Sequence, residues 1–455
     1  MREILPKNLL RLAKVCPKPL YVVGGSVRDY LAKLSLDRAK NAWDWDLSSP
    51  IPAEEFEKIA QNQGFVVKSV FKNTGTVKLQ DADGIDYEYT CFRSDKYVRG
   101  IHVPVESDFT DNIQLDALRR DFTANAVYYD LQTATFVDPL NDGRNAIAEK
   151  RLTTVASSQK VFGEDGLRLL RLARQSAQCG FHPDAECLQG ASQNAKLIQD
   201  ISAERIFSEL SALLLADKKH GVQDGPYRGL KILVQTGVLE YVLPELALGN
   251  GVVQRPDFHD HDVLEHSLRA VLYADERVRF SALLHDCGKP ACFFADGNAH
   301  DHPNQGARIA KAILQRLKAP KRFTERVCDL VQYHMYDFNC QTSEKKLRRF
   351  FVMHYDLLDE LLLLKQADYS ACKDDLSIAP TCARWRRLLE KMRLENVPFT
   401  LKELAISGKD VLSIGAPPTS VSQILNALLL HTATAPNDNT KARLLRLAKG
   451  YLKQL

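Results

Sequence analysis

The chain has 455 residues, 61 Lys and Arg against 57 Asp and Glu, a formal charge of +4, and 45% hydrophobic and 26% charged residues. At roughly 100–200 residues per domain this predicts about three domains, and the balance excludes a disordered, collagen-like or disulfide-stapled chain. Ten scattered Cys without a CxxC pair, apolar runs far below the roughly 18 residues of a membrane span and an amino-terminal MREILPKNLLRLAK without an apolar signal core predict a reduced, cytoplasmic protein with no membrane partner.

In chain order, Ile4–Val15 reads as a helix and Leu20–Val23 as a short apolar strand. Gly24-Gly25 interrupts it, and Val27–Leu34 has helical spacing. Trp43-Asp44-Trp45-Asp46-Leu47 alternates apolar and acidic residues, the signature of a half-buried strand. Phe65–Val67, Thr76–Leu79 and Ile85–Thr90 continue the strand pattern, so the first 150 or so residues read as α+β or α/β. From about Leu152 the period becomes 3.6 and stays helical, broken by turn chemistry at Asp224-Gly225-Pro226, Gly249-Asn250-Gly251, Gly415–Pro418 and Ala435-Pro436-Asn437.

Within a strand, Asp44 and Asp46 point to one face. Two carboxylates held side by side repel unless a cation lies between them. Hard oxygen donors suit Mg²⁺, and a two-metal clamp serves in-line phosphoryl displacement. Glu88 supplies a third acid on a strand of the same period. An isolated Asp-x-Asp also occurs on solvated edge strands. Here, however, it follows Gly24-Gly25-Ser26-Val27-Arg28-Asp29, a glycine turn opening a helix, where backbone N–H groups and the Arg28 fork can meet phosphate.

Arg119-Arg120-Asp121 reads either as a surface ion pair or as a phosphate-binding Arg pair with Asp121 on a ribose hydroxyl. In Glu164–Arg171 a single helix would set Glu164, Arg168 and Arg171 on one face, with Asp165 beside them. Such a helix is either stabilised by i,i+4 pairs or presents Asp165 and Arg168 as acceptor and donor to a base edge. A polar site of that kind leaves a wrong base with unpaired groups.

GGSVRD at Gly24–Asp29, the Asp44/Asp46 pair, RRDFTANA at Arg119–Ala126, DPLNDG at Asp138–Gly143, EDGLRLLR at Glu164–Arg171 and AERIFSEL at Ala203–Leu210 occur in order. Together they resemble a class II CCA-adding enzyme, a tRNA nucleotidyltransferase of the polymerase β superfamily. ISGKDVL at Ile406–Leu412 is similar to the family's carboxy-terminal region. The resemblance implies an α+β nucleotidyltransferase head, a mixed sheet with helices, over 1–150. An all-α remainder follows: a neck with the nucleotide-selection helix over 151–220, a body with an HD domain over 221–395, and a tRNA-contacting tail over 396–455. It implies Mg²⁺ on Asp44 and Asp46, with Glu88 as third catalytic carboxylate. Triphosphate is implied on Gly24, Gly25, Ser26 and Arg28, and phosphate and ribose on Arg119, Arg120 and Asp121. Asp165 and Arg168 would select CTP and then ATP, supported by Arg171. The tRNA 3′-hydroxyl then attacks the α-phosphate and pyrophosphate leaves.

Members often carry Arg-Arg-Pro in the loop before RRDFT, whereas this chain has Val98-Arg99-Gly100-Ile101-His102-Val103-Pro104. Full CCA addition, CC-only or A-only addition and poly(A) synthesis therefore stay open. An HD-type nucleotide phosphohydrolase is the reading of another class, although its motif order disagrees. A purely RNA-binding protein would not need three intact carboxylates.

Seven of twelve His lie between His259 and His334. His266, the pair His285-Asp286, His302, His334 and Asp368 follow one another. Mixed imidazole and carboxylate suits a divalent transition metal, whose bound water could attack a phosphoester. The set resembles an HD-domain phosphohydrolase acting on phosphorylated or cyclic-phosphate RNA ends, or an inherited scaffold. His259 and His261 read as neighbours of that site rather than ligands. Basic clusters at Lys311–Arg326, Lys345–Arg349 and Arg384–Arg393 are solvated helix faces or, in an enzyme holding tRNA, phosphate contacts. No obligate protein partner is expected.

Overall fold

The structure is a computed structural model that describes residues 1–34, 43–96 and 106–453. The loop Val98–Pro104 lies outside the described residues. The chain divides into two compact units, Met1–Leu248 with Ile313–Ala319, and Gly249–Ala312 with Pro320–Leu455.

The first unit is built on a mixed sheet. In chain order its strands are β1 (Tyr21–Val23), β2 (Trp45–Ser49), β3 (Val66–Phe71), β4 (Thr76–Gln80), β5 (Asp86–Cys91), β6 (Arg93–Lys96), β7 (Glu106–Phe109), β8 (Tyr128–Asp130) and β9 (Phe136–Val137). Seven of them pair in the order β3-β4-β5-β2-β1-β8-β9, while β6 and β7 form a separate hairpin. Within the seven-stranded sheet β2 and β5 run parallel and the other neighbours are antiparallel; a short parallel pair, Arg151–Leu152 with His182–Pro183, lies apart from it.

The alternation read from the sequence decides which face is packed. Trp45 and Leu47 of β2 and Tyr87 and Tyr89 of β5 are buried. Phe56, from the helix Ala53–Asn62, stacks on Tyr89 with ring centroids 3.6 Å apart. Asp46 and Glu88 therefore occupy the opposite face. The rest of this unit is almost wholly helical.

EDGLRLLR does not lie on one helix, contrary to the expectation. Glu164 ends the helix Ser158–Glu164, and a new helix runs Leu167–Cys179. The break falls at Asp165, whose extended backbone (φ −145°, ψ 106°) ends the first helix and whose carboxylate accepts from the Leu167 N–H at 2.9 Å to open the second; close packing on the Leu197 carbonyl leaves no room for a side chain at Gly166.

The second unit is helical. Its helices Val263–Tyr273, Arg279–Leu284, Lys321–Tyr333 and Leu358–Lys373 pack through buried Leu and Val. Among the described residues, no helix is long and apolar enough to cross a membrane.

Candidate active site and metal centre

In the first unit a cavity of about 340 Å³ opens over the acidic face of the sheet. The predicted residues meet there, apart from two. Gly24, Gly25, Arg28, Asp44, Asp46, Arg119, Arg120, Asp121, Asp165, Arg168 and Arg171 all line it. Ser26 instead is buried beneath the glycine turn and donates its hydroxyl to the Asp44 carbonyl. It ties the turn to the start of β2 and does not face the cavity. Glu88 is the Cα partner of Asp46 in the β2–β5 ladder, but its carboxylate lies 3.1 Å from Lys78 Nζ at the surface.

Asp44 stands just ahead of β2 and is exposed; Asp46 is half-buried. The Asp46 pKa is pushed up to about 7, by burial first and by the Asp44 charge second. Glu88 adds to the rise, while Arg120 and Arg171 oppose it. Carboxylates this frustrated are the donor set a divalent cation relieves.

The cationic residues are held by an internal network. The buried Asp116 carboxylate receives Arg119 Nε at 2.6 Å, Arg120 Nη2 at 3.1 Å and the Tyr128 hydroxyl at 2.6 Å. Burial alone would raise the Asp116 pKa; Arg119 and Arg120 outweigh it and hold the carboxyl at about 2. Asp121 accepts from Arg171 Nε at 2.8 Å, Gln175 Nε2 at 3.0 Å, Asn125 Nδ2 at 2.8 Å and the Phe122 N–H at 2.8 Å. Its carboxylate is thus held by internal donors while Asp121 lines the cavity.

Arg28 is likewise buried. Its guanidinium donates to Asp29, to Asn125 Oδ1 at 2.7 Å and to Gln175 Oε1 at 3.1 Å, and the residue lines the cavity. Arg168 donates to the carbonyls of Val161 at 2.9 Å and Arg119 at 2.7 Å, next to Glu164 at 3.1 Å.

Sequence reasoning assigned no role to Asn125, Arg174, Gln175, Gln178, Arg205 or Lys219, which also line the cavity. Continuing the 3.6 period of Arg168 and Arg171 would have reached Arg174, Gln175 and Gln178. Eight cationic side chains face four acidic ones across this lining, a field suited to a polyphosphate.

The second unit brings all six predicted residues of the helical cluster together. His266 Nε2 lies 3.1 Å from His285 Nε2 and 3.0 Å from Asp368 Oδ1. His302 Nε2 lies 3.2 Å from His334 Nε2 and 3.3 Å from Asp286 Oδ1. Lys289 Nζ stands 2.6 Å from Asp286 Oδ2.

His302 and His334 each turn Nδ1 to a backbone carbonyl, of Ala299 at 2.7 Å and Val331 at 2.6 Å. Held so, the two Nε2 atoms face each other, an arrangement that a cation between them would stabilise. Burial pushes the His334 pKa down to about 4. Burial would also lower that of His285, but Asp286 and Asp368 raise it to about 10. His259, at the edge of the cluster, is pushed down to about 3, by burial first and then by Lys289 and His266.

Comparison with known proteins agrees with this division. Residues 20–153 match the poly A polymerase head domain, 180–248 the probable RNA and SrmB-binding site of polymerase A, and 263–370 the HD domain. An A-adding tRNA nucleotidyltransferase of Deinococcus radiodurans is 29% identical over 90% of this chain and 91% of its own. The multifunctional CCA protein of Hahella chejuensis is 32% identical over 70% of this chain and 72% of its own. The solved Bacillus stearothermophilus CCA-adding enzyme in complex with CTP shares the fold, with a TM-score of 0.67 at 23% identity over 99% of both chains. Similarity of that extent, on a head whose acids and arginines converge on one cavity, means that the chain belongs to the family of CCA-adding tRNA nucleotidyltransferases.

Proposed function

We propose that this chain adds C, C and A in turn to the 3′ end of tRNA, taking CTP and then ATP, with no nucleic-acid template. The observation that carries the reading is the placement of Asp44, Asp46 and Glu88 at one end of the β2–β5 pair, beside the Gly24 turn and a cavity with a cationic excess. Asp44 and Asp46 would hold Mg²⁺, which neutralises charge developing on the phosphate and lowers the pKa of the attacking hydroxyl.

Arg119 and Arg120, locked by Asp116, receive the phosphates. The Gly24-Gly25 backbone lets them approach closely. Asp165 and Arg168 read the base edge, and the carbonyls that hold Arg168 fix its position before a nucleotide arrives. Arg171, held by Asp121, supports that pocket. The 3′-hydroxyl attacks the α-phosphate in line, the bond to the β-phosphate breaks, and pyrophosphate leaves. The regions 1–150, 151–220, 221–395 and 396–455 serve as head, neck, body and tail, the body with the basic helix faces that meet tRNA phosphates and the tail as a further tRNA contact.

The second unit supports a further activity of the same chain: hydrolysis of phosphorylated or 2′,3′-cyclic-phosphate RNA ends by a divalent transition metal held by His266, His285, Asp286, His302, His334 and Asp368.

Product sizing tests the main reading. With Mg²⁺ and tRNA lacking CCA, CTP alone should extend by two nucleotides and CTP with ATP by three. Arrest after a single A, arrest after two C with both nucleotides present, or a long A tail would each replace it with a partial or poly(A)-forming activity.

A further inference from the structure

His266 differs from the other imidazoles of the helical cluster in how its far side is held. His285, His302 and His334 each set Nδ1 within 2.6–2.7 Å of the carbonyl three residues earlier. A ring nitrogen that faces a carbonyl carries a proton, which makes the other nitrogen, turned to the centre, the one available to a cation. His266 also turns Nε2 inward. Its Nδ1, however, is buried and meets no hydrogen-bond partner. Leaving such a group unsatisfied is destabilising.

Two side chains stand next to it. Donor atoms of His259, His266 and Cys372 lie within 4.8 Å of one another. The His259 ring meets that of His266 edge-on, centroids 4.8 Å apart at 89°. His259 Nδ1 is itself buried without a partner. The Cys372 thiol is committed to the Asp368 carbonyl at 3.3 Å and is in any case a weak acceptor. The backbone beside His259 is pinned to the helix that carries Asp368, because the Asp260 N–H donates to the Cys372 carbonyl at 3.0 Å.

Two imidazole nitrogens on neighbouring rings, both buried and both without a partner, satisfy each other once a turn of one ring brings a donor to an acceptor. We propose that His259 is the positioning residue of His266. Its Nδ1 accepts the His266 Nδ1–H, and this fixes the tautomer that leaves His266 Nε2 bare for the cation. The inference rests on the reading of the six-residue cluster as a divalent metal centre.

The test uses the full-length chain stripped of metal and titrated with Co²⁺, with affinity from equilibrium dialysis and geometry from visible absorption. His259→Leu removes the acceptor. His259→Asn places an amide oxygen where Nδ1 was. Cys372→Ala removes the other neighbour. His259→Leu should weaken Co²⁺ binding by about 10–100-fold, whereas His259→Asn and Cys372→Ala should stay within about threefold of wild type. Nucleotide addition should be unchanged in all three.

Wild-type affinity in His259→Leu overturns the proposal. So does an equal loss in His259→Asn, which would mean a packing role. A sulfur-to-cobalt charge-transfer band lost in Cys372→Ala also overturns it, because His259 would then serve a separate ion. A wild-type chain that takes up no imidazole-ligated Co²⁺ overturns the metal centre itself, a different result from an intact centre indifferent to His259.

Discussion

Gly24 leaves the space that the Asp46 carboxylate occupies: a methyl group added at Gly24 would lie 2.9 Å from Asp46 Oδ2. Gly24 also adopts φ +83° with ψ −142°, close to a backbone region that is essentially glycine's alone and costs other residues on the order of 1–3 kcal/mol. The glycine turn therefore does more than admit phosphate, since it leaves room for the carboxylate that would bind the cation. Gly24→Ala should keep the fold, because the turn lies at the mouth of the cavity, yet displace Asp46. A displacement near 1 Å costs on the order of 100-fold in rate. Single-turnover CTP incorporation, beside an unchanged circular dichroism spectrum, checks this; near-wild-type incorporation would show that Asp46 needs no such room.

Asp46 gives a prediction with a sign. Its folded pKa of about 7 lies above the ordinary carboxylate value. The folded, cation-free chain therefore holds a proton that the unfolded chain has lost. The associated stability is complete below the ordinary carboxylate range and disappears as pH rises through about 7. Asp46→Asn removes the charge, so in chelator it should be more stable than wild type near pH 8, by on the order of 1 kcal/mol, and show little difference near pH 4. It should also abolish nucleotide addition. Urea unfolding at both pH values decides; a variant equal to wild type near pH 8 would remove the argument that the acids are frustrated without a cation.

The alternation of Trp43–Leu47 and of Ile85–Thr90 was legible because period two alone decides which face is packed. That Asp46 would be the register partner of Glu88 was not, because a parallel pairing across so long a stretch of chain depends on the whole sheet. Asp116 illustrates another gap. In sequence it is one more acid in a short helix; only burial beside Tyr128 makes it the anchor of Arg119 and Arg120. The helix break at Asp165 was missed because an Asp-Gly pair inside an otherwise periodic stretch does not interrupt the 3.6 pattern of the apolar residues around it. The helical cluster was readable because ordered His and Asp are rare enough to stand out. The carbonyls that orient those rings carry no side-chain signal.

The network around Asp121 predicts a loss at neutral pH. Burial alone would raise the Asp121 pKa, but Arg171, with hydrogen bonds from Asn125 and the Phe122 N–H, holds it well below the usual carboxylate range. A depressed carboxylate stabilises above its unfolded pKa, and the contribution fades as pH falls through that range and below. Asp121→Asn keeps the shape but strands Arg171, whose side chain is 37% exposed. The cost at pH 7 should therefore fall below that of a fully buried pair, at about 2 kcal/mol. The variant and wild type should converge on acidification, and base selection should suffer because Arg171 is released. Urea midpoints across pH, with misincorporation of UTP against CTP, test both parts. A pH-independent difference would assign the cost to packing instead.

Asp286 is the carboxylate around which the helical cluster closes. Its oxygens lie 3.2 Å from His285 Nε2, 3.3 Å from His302 Nε2, 3.4 Å from His266 Nε2 and 3.7 Å from His334 Nε2. Burial would raise its pKa, yet His285 and Lys289 hold it well below the usual range, so it is ionised and ready to bind metal. Asp286→Ala leaves four imidazoles and Lys289 facing one another without that charge, and metal affinity should fall by at least about 100-fold. Divalent-metal-dependent hydrolysis of a 2′,3′-cyclic phosphate should disappear with it. Nucleotide addition should persist, because Asp44, Asp46 and the arginine lining belong to the other compact unit. Parallel assays on one preparation measure both activities. If addition and hydrolysis vanish together, the two centres are not independent and the assignment of one chemistry to each must be given up.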